Sequence, residues 1–304
     1  MVLRADPVLV AVLGALALSA CASAGRTAAW ERPPAPPSGT TTSSTSSTAV
    51  TRLEAQAQAH WARRDEPAEV REAIRAWEAL LAEDAASVEA RVMSSRAHYY
   101  LADALLAPEG APPEEELEAY RRGVEHGEQA LLRMAPDFEA RMRAGEHFED
   151  AVEAIGVEAV PAAYWYGLNL SRFANKLGMD ARMYYRDRLL ALMRRLAVVQ
   201  PGYFHGGPDR YLGCFYATTP ALAGKDLQRS AEAFERARAL GQGALSTSVD
   251  EARCLCPERA DRERFSDLLE AVLAADPEAA PDVAPENRAA QRAARRMLER
   301  GPRF

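Results

Sequence analysis

The stretch YLGCFYATTPALAGKDLQRSAEAFERARALG, running from Tyr211 to Gly241, decides the fold. Leu212-Gly213 and Tyr216 in its first half are answered by Ala231, Phe234 and Ala237 in its second, which puts small residues where two helices have to approach closely. Thr218 to Asp226 reads as the loop between them. On both sides of this unit, from Leu53 onward, the chain is dense in Ala, Leu, Glu and Arg, the strongest helix formers, and shows no sustained alternation of apolar and polar residues. Val70, Ile74, Trp77 and Leu81 fall at helical spacing. So do Tyr185, Leu189, Leu192, Leu196 and Val199, and then Phe265, Leu268, Leu269 and Val272, each set making one apolar stripe. Stripes on consecutive segments need partners, and short polar breaks between them favour antiparallel hairpins. Gly178 can end one helix as Asp180 opens the next, Asp137 after Pro136 marks a start, and Ser248 with Glu251 has capping-box spacing. The expectation is an all-α body over residues 53–304 with about a dozen helices.

The order Leu-Gly, Tyr, Ala, Phe, Ala within Tyr211 to Gly241 resembles the tetratricopeptide pattern of stacked helical hairpins. Ala135-Pro136-Asp137-Phe138 and Gln200-Pro201-Gly202-Tyr203 each follow an Ala/Leu-rich helix, as ends of similar units would. Pro136 and Pro201 lie 65 residues apart, which does not fit a repeat of about 34 residues or two clean ones. The resemblance therefore implies an irregular, α-solenoid-like stack.

The chain has 304 residues, 48% of them hydrophobic and 27% charged, with 44 acidic against 37 basic side chains and a net charge of −7. This balance offers no broad electrostatic footprint for phosphate backbones, so no nucleic-acid partner is expected. Near the start, Val8 to Ala20 is an uncharged apolar run. It falls short of the roughly 20 residues a membrane-spanning helix needs and reads as a signal-peptide core. It ends in Leu18-Ser19-Ala20-Cys21, which resembles the lipobox of bacterial lipoproteins and implies cleavage before Cys21 and acylation of that cysteine. Residues 1–20 are thus read as the signal peptide, and the mature protein as periplasmic and lipid-anchored to the membrane. Ala22 is not the Asp that retains lipoproteins in an inner membrane, which favours the outer one. Residues 21–52 hold Pro33, Pro34, Pro36, Pro37 and Gly39 before a Ser/Thr run from Thr40 to Thr48, the composition of a disordered linker. From Cys21 to Leu53 such a leash averages roughly 30 Å.

The motifs of catalysis are missing from the sequence: it contains no HExxH, Walker-type glycine loop or Gly-x-Ser-x-Gly elbow. The histidines at 60, 98, 126, 147 and 205 lack metal-ligand spacing, and Glu146, His147, Glu149 and Asp150 fan around a helix axis. No enzyme activity, cofactor or metal is expected. Cys254 and Cys256 stand about 200° apart on a helix, poor geometry for a mutual disulfide. A bridge from Cys214 to either is one reading, and buried free thiols are the plainer one. The aromatic groups Tyr164-Trp165-Tyr166, Tyr203-Phe204 and Tyr211 with Phe215 and Tyr216 suit a helical core or an apolar ligand groove. Polar Asn169, Asn175 and His205 accompany them around Gly206-Gly207, where a backbone can approach a ligand. The candidate ligand or partner site is therefore Tyr164, Trp165, Asn169, Asn175, Tyr203, His205, Gly206, Gly207, Tyr211 and Tyr216. Arg288, Arg292, Arg295 and Arg296 form a basic run that suits an acidic partner or a solvated face.

A more specific resemblance covers Val160 to Leu298. Val160-Pro161-Ala162-Ala163-Tyr164-Trp165 is similar to the aromatic helix entry of the T component of TRAP transporters, the TatT family. Gln200-Pro201-Gly202-Tyr203-Phe204-His205-Gly206-Gly207-Pro208 with Leu212-Gly213 resembles its Gly-rich turn. Pro220 to Leu240, then Asp261-Arg262-Glu263-Arg264-Phe265, then Glu286 to Arg295 follow in the family's order, while residues 53–159 match loosely. Asn169 stands where something less polar is expected. The resemblance implies a non-enzymatic periplasmic subunit that docks the solute-binding P component and assists uptake of an organic or hydrophobic solute. It also implies a homo-oligomer with a passage for ligand. The alternatives are a stand-alone carrier of a hydrophobic small molecule and a general protein–protein scaffold at the cell envelope.

Overall fold

All three apolar stripes turn inward. In the computed structural model, which describes residues 26–33 and 44–301, Val70, Ile74 and Trp77 are buried, as are Tyr185, Leu189, Leu192, Leu196, Phe265, Leu268, Leu269 and Val272. The first stripe closes on fully buried Leu80, leaving Leu81 half-buried. The helices these stripes belong to are, in order, α1 (Ser44–Trp61), α2 (Pro67–Glu83), α3 (Val88–Tyr100), α4 (Ala107–Glu109), α5 (Pro113–Met134), α6 (Pro136–Arg143) and α7 (Phe148–Ala151). There follow α8 (Val160–Leu177), α9 (Met179–Val199), α10 (Gly207–Thr218), α11 (Leu227–Leu240), α12 (Ser246–Arg259), α13 (Arg262–Ala274) and α14 (Ala284–Arg300). No strand occurs among the described residues, so the protein is all-α. Pairs such as α1 with α2, α8 with α9, α10 with α11 and α12 with α13 pack side by side in chain order. The main core runs from α1 to α10, and a second one, built on Phe265, Leu269 and Ala294, joins α12, α13 and α14.

Close approach sets the helix spacing. A Cβ on Gly127 of α5 would stand 2.9 Å from the backbone of Tyr166 in α8, and one on Gly123 would fall on the Asn169 side chain. Asn169 is the polar residue that looked out of place in an aromatic helix. It is fully buried and donates to the Ser95 carbonyl at 3.0 Å and to the Trp165 carbonyl at 2.9 Å, which ties α8 to α3. In α10 and α11, Gly213 lies against the buried Phe234 ring, and the Ser230 hydroxyl donates to the Gly213 carbonyl at 2.7 Å. This is the intimate contact that the small residues of Tyr211 to Gly241 imply.

The structure departs from the sequence reading in three places. Trp30, in the expected linker, is buried among Phe138, Phe148 and Tyr166, with ring centroids 5.9, 5.9 and 6.3 Å away. Arg26 pairs with buried Glu128 of α5, and α1 already begins at Ser44. Composition favoured a leash, but one large ring with a pocket to fill outweighs it. The first described residue, Arg26, lies five positions after Cys21, a span of at most roughly 17 Å of chain. Cys21 and the signal segment lie outside the described residues. Secondly, Ser248 and Glu251 form no capping box, because α12 begins earlier, at Ser246. The Leu245 N–H there is bound by Asn287 Oδ1 at 2.9 Å, and Glu251 pairs with Arg238 and Arg264. Thirdly, Cys214 and Cys254 form a disulfide joining α10 to α12, so the free-thiol reading survives for buried Cys256 alone. The turn of helix between Cys254 and Cys256 points one sulfur at α10 and buries the other in the second core.

Gly127→Ala places a methyl against backbone that cannot swing aside, and should lower unfolding free energy by about 1–3 kcal/mol in urea titrations with the m-value unchanged. Trp30→Ala should cost about 3–5 kcal/mol by the same measurement, a loss no solvated linker residue would produce.

Candidate functional site

A cavity of about 740 Å³ opens between the C-terminal end of α3 and helices α8, α9, α10, α12 and α14. Three local devices shape its wall. Pro108 lacks an N–H and would crowd the carbonyl four residues back, and the helix before it widens to a π-helical run over Leu101–Leu106. That run brings Asp103 and Ala104 to the cavity. The turn before α10 carries three successive residues in the left-handed region, Phe204, His205 and Gly206, at φ 45°, 56° and 73°. This arrangement costs on the order of 1–3 kcal/mol per non-glycine residue. In return it delivers the Phe204 ring to the cavity, 4.8 Å from Trp165. Finally, α14 lays Ala289, Ala290 and Ala293 along the opposite side, where small side chains leave room.

The wall is aromatic and cationic together. Tyr99, Tyr164, Phe204, Tyr211 and Phe215 supply rings, and burial pushes the Tyr211 hydroxyl up to about 12. Arginines outnumber carboxylates on the wall by about two to one, in a chain whose net charge is −7. The acids present are engaged: Asp103 with Arg172 at 2.8 Å, Asp250 with Arg253 at 3.2 Å, and Glu286 with Arg64 and Arg96 at 2.8 Å each. Arg210 is buried and donates to the Tyr164 hydroxyl at 3.1 Å. At one end Arg296 sits among Arg292, Arg300 and Arg253, and burial together with those like charges pulls its pKa below the ordinary arginine value. Such a crowd of guanidinium groups is relieved by an anion.

The ten residues singled out by sequence divide. Tyr164, Asn175, Gly207 and Tyr211 reach the cavity. The other six are committed to the protein itself. Trp165 donates to the Tyr203 hydroxyl at 3.1 Å, Asn169 joins α8 to α3, His205 pairs with Asp282 at 2.8 Å, and Tyr216 accepts from Arg194 at 3.0 Å. Gly206 and Gly207 do permit close approach, but by protein: their missing Cβ positions are filled by Ala237 backbone and by the Tyr164 ring. Sequence reasoning missed Asp103, Arg172, Arg210 and Arg253, which are single residues on separate helices. Arg296 was visible as part of a basic run, yet only the fold shows it facing inward. His98 and His126, without useful spacing along the chain, come together across α3 and α5 with ring centroids 5.7 Å apart.

An all-helical body surrounds a cavity lined by aromatic rings and charged side chains. The chain belongs to the family of TRAP transporter T-components (TAtT), whose model matches residues 68–304. The match takes in α2 to α7, the part whose sequence resembles the family loosely. No curated protein matches the chain significantly. The protein is therefore a component of a transport system, and no helix among the described residues is long and apolar enough to cross a membrane.

The Cys214–Cys254 bridge closes a loop of 40 residues beside this cavity. Replacing both cysteines by alanine should lower unfolding free energy by about 4 kcal/mol on loop-entropy grounds, measured against the wild-type protein kept oxidised.

Proposed function

We propose that this chain is a non-enzymatic, lipid-anchored periplasmic subunit of a TRAP-type system, which receives an organic solute from a docked P component in the cavity between α3 and α14. The observation that carries the reading is the pairing of an aromatic wall with an arginine cluster whose charges are crowded and partly desolvated. A solute with an apolar body and a carboxylate or similar anionic end satisfies both, the body against Tyr99, Tyr164 and Tyr211 and the anion at Arg253, Arg296 and Arg300. The volume suits a molecule of small-metabolite to drug size. The Cys214–Cys254 disulfide supports an oxidising compartment, and Cys21 is the proposed site of the lipid. With Arg26, five positions on, paired to buried Glu128 of the body, that lipid would hold the body close to the membrane surface.

Binding of anionic amphipathic solutes should be seen by native mass spectrometry of the purified protein. Arg253→Ala and Arg296→Ala should each weaken it about tenfold or more, since each removes a charge-assisted hydrogen bond. A pull-down with the P component of the same transport system should recover a complex. Solute retained with no P-component binding would favour the stand-alone carrier, and binding of neither would remove this proposal.

A further inference from the structure

Between α2, α3 and α5, three helices present a carboxylate, an imidazole and a second imidazole to one another. Glu78 of α2, His98 of α3 and His126 of α5 each offer a ligand atom, and these atoms all lie within 4.8 Å of one another. His98 is 4% exposed, and neither of its ring nitrogens has a hydrogen-bond partner. The Nδ1 of His126 is buried and unpartnered as well. Buried polar atoms in native proteins are almost always satisfied, so two imidazoles facing each other with orphaned nitrogens require an explanation. Two histidines within contact distance cannot satisfy one another unless a donor faces an acceptor, and no such bond is formed between them.

We infer that Glu78, His98 and His126 form a binding site for a divalent transition-metal ion of the zinc class, unrelated to the solute cavity. Two imidazoles and one carboxylate are the donors of three-ligand zinc sites, which leave a further position for water, whereas magnesium and calcium require oxygen-rich sets. Ligand atoms around one tetrahedral zinc ion stand roughly 3.4 Å apart, given bonds of about 2.0–2.2 Å. With its atoms within 4.8 Å of one another, the trio must therefore close by up to about 1.4 Å. The Glu78 side chain can supply part of that movement, being 36% exposed, already 3.8 Å from His98 Nε2 and otherwise paired with Arg122 at 3.2 Å. Arg122 keeps a second carboxylate, Glu118, at 2.9 Å when Glu78 turns away, so the move strands no charge. The His126 Nδ1, buried and without a hydrogen-bond partner, is left to turn to an ion. Arg91 and Arg122 are the cations near this histidine and oppose the ion's charge, so the site is expected to be selective for strongly coordinating ions. An ion here would clip α2, α3 and α5 together one residue before Tyr99, which lines the cavity.

The full chain, stripped with chelator and dialysed, is titrated with Co²⁺ followed by visible absorption and with Zn²⁺ by calorimetry. One equivalent of Co²⁺ giving tetrahedral or five-coordinate d–d bands, and one equivalent of Zn²⁺ that raises the melting temperature, is the expected result. Glu78→Gln and His126→Gln should keep the native circular dichroism and weaken Zn²⁺ binding at least tenfold. His60→Gln, which removes the partly exposed pair with Glu69, should change nothing. Absence of the cobalt bands, or Zn²⁺ binding unaltered in both Glu78→Gln and His126→Gln, would overturn the inference.

Discussion

The Glu286 carboxylate, held by two arginines from the other end of the chain, closes this molecule. Arg64 in the turn after α1 and Arg96 in α3 each reach it at 2.8 Å, although they stand 222 and 190 positions away. Asp65 gripping Arg288 and the Tyr100 hydroxyl donating to the Pro285 carbonyl at 3.4 Å reinforce the same seam. Such a pair, with Arg64 8% and Glu286 15% exposed, is a modest source of net stability, because desolvation offsets much of the Coulomb attraction. Its importance is geometric. Removing one partner from a buried pair costs about 3–5 kcal/mol, so the seam strongly penalises any arrangement in which α14 swings away. With α14 docked, the packed helices become a wall around a cavity.

The seam also decides the electrostatics of that cavity. An acidic chain would be expected to present acidic surfaces, yet the carboxylates nearest the cavity are engaged by arginines, Asp250 by Arg253 among them, leaving Arg296 and Arg300 to set its local sign. Net charge is a sum over the whole surface, and a concave site samples only the groups that fold toward it. The aromatic residues follow a similar division of labour. Trp165 and Tyr203 bond to each other and stiffen the wall, while Tyr164 and Tyr211 are left to face the space it encloses.

Helix packing supplies the rigidity on which both features rest. Gly127 and Gly213 allow neighbouring helices to approach until backbone meets backbone or an aromatic ring, and Gly123 leaves room for the Asn169 side chain. Asn169 uses the space above Gly123 to bond Ser95 of α3. A polar residue in the middle of an aromatic run is thus a fixing point in the core, where a leucine of similar size would leave the Ser95 carbonyl with one bond fewer.

Much of the fold was legible in local pattern. Period-3.6 stripes such as Tyr185 to Leu196 and the small-residue signature around Gly213 and Phe234 depend on neighbours a few positions away, and a helix expresses such patterns directly. The family, too, could be read from short segments in order, because each is a local turn or helix entry. Contacts between residues far apart in the chain were not legible. Composition made Trp30 a linker residue, and only a preformed niche among Phe138, Phe148 and Tyr166 makes it core. Spacing gave the histidines no common purpose, yet helices α3 and α5 bring two of them face to face. The sequence by itself determined that the chain is helical, where its faces lie and which family it joins, since periodicity and capping act over a few residues. Tertiary structure alone decided which cysteine bonds to which, which arginines face inward and that α14 returns to α1, because those outcomes depend on distances that exist only once the hairpins have stacked.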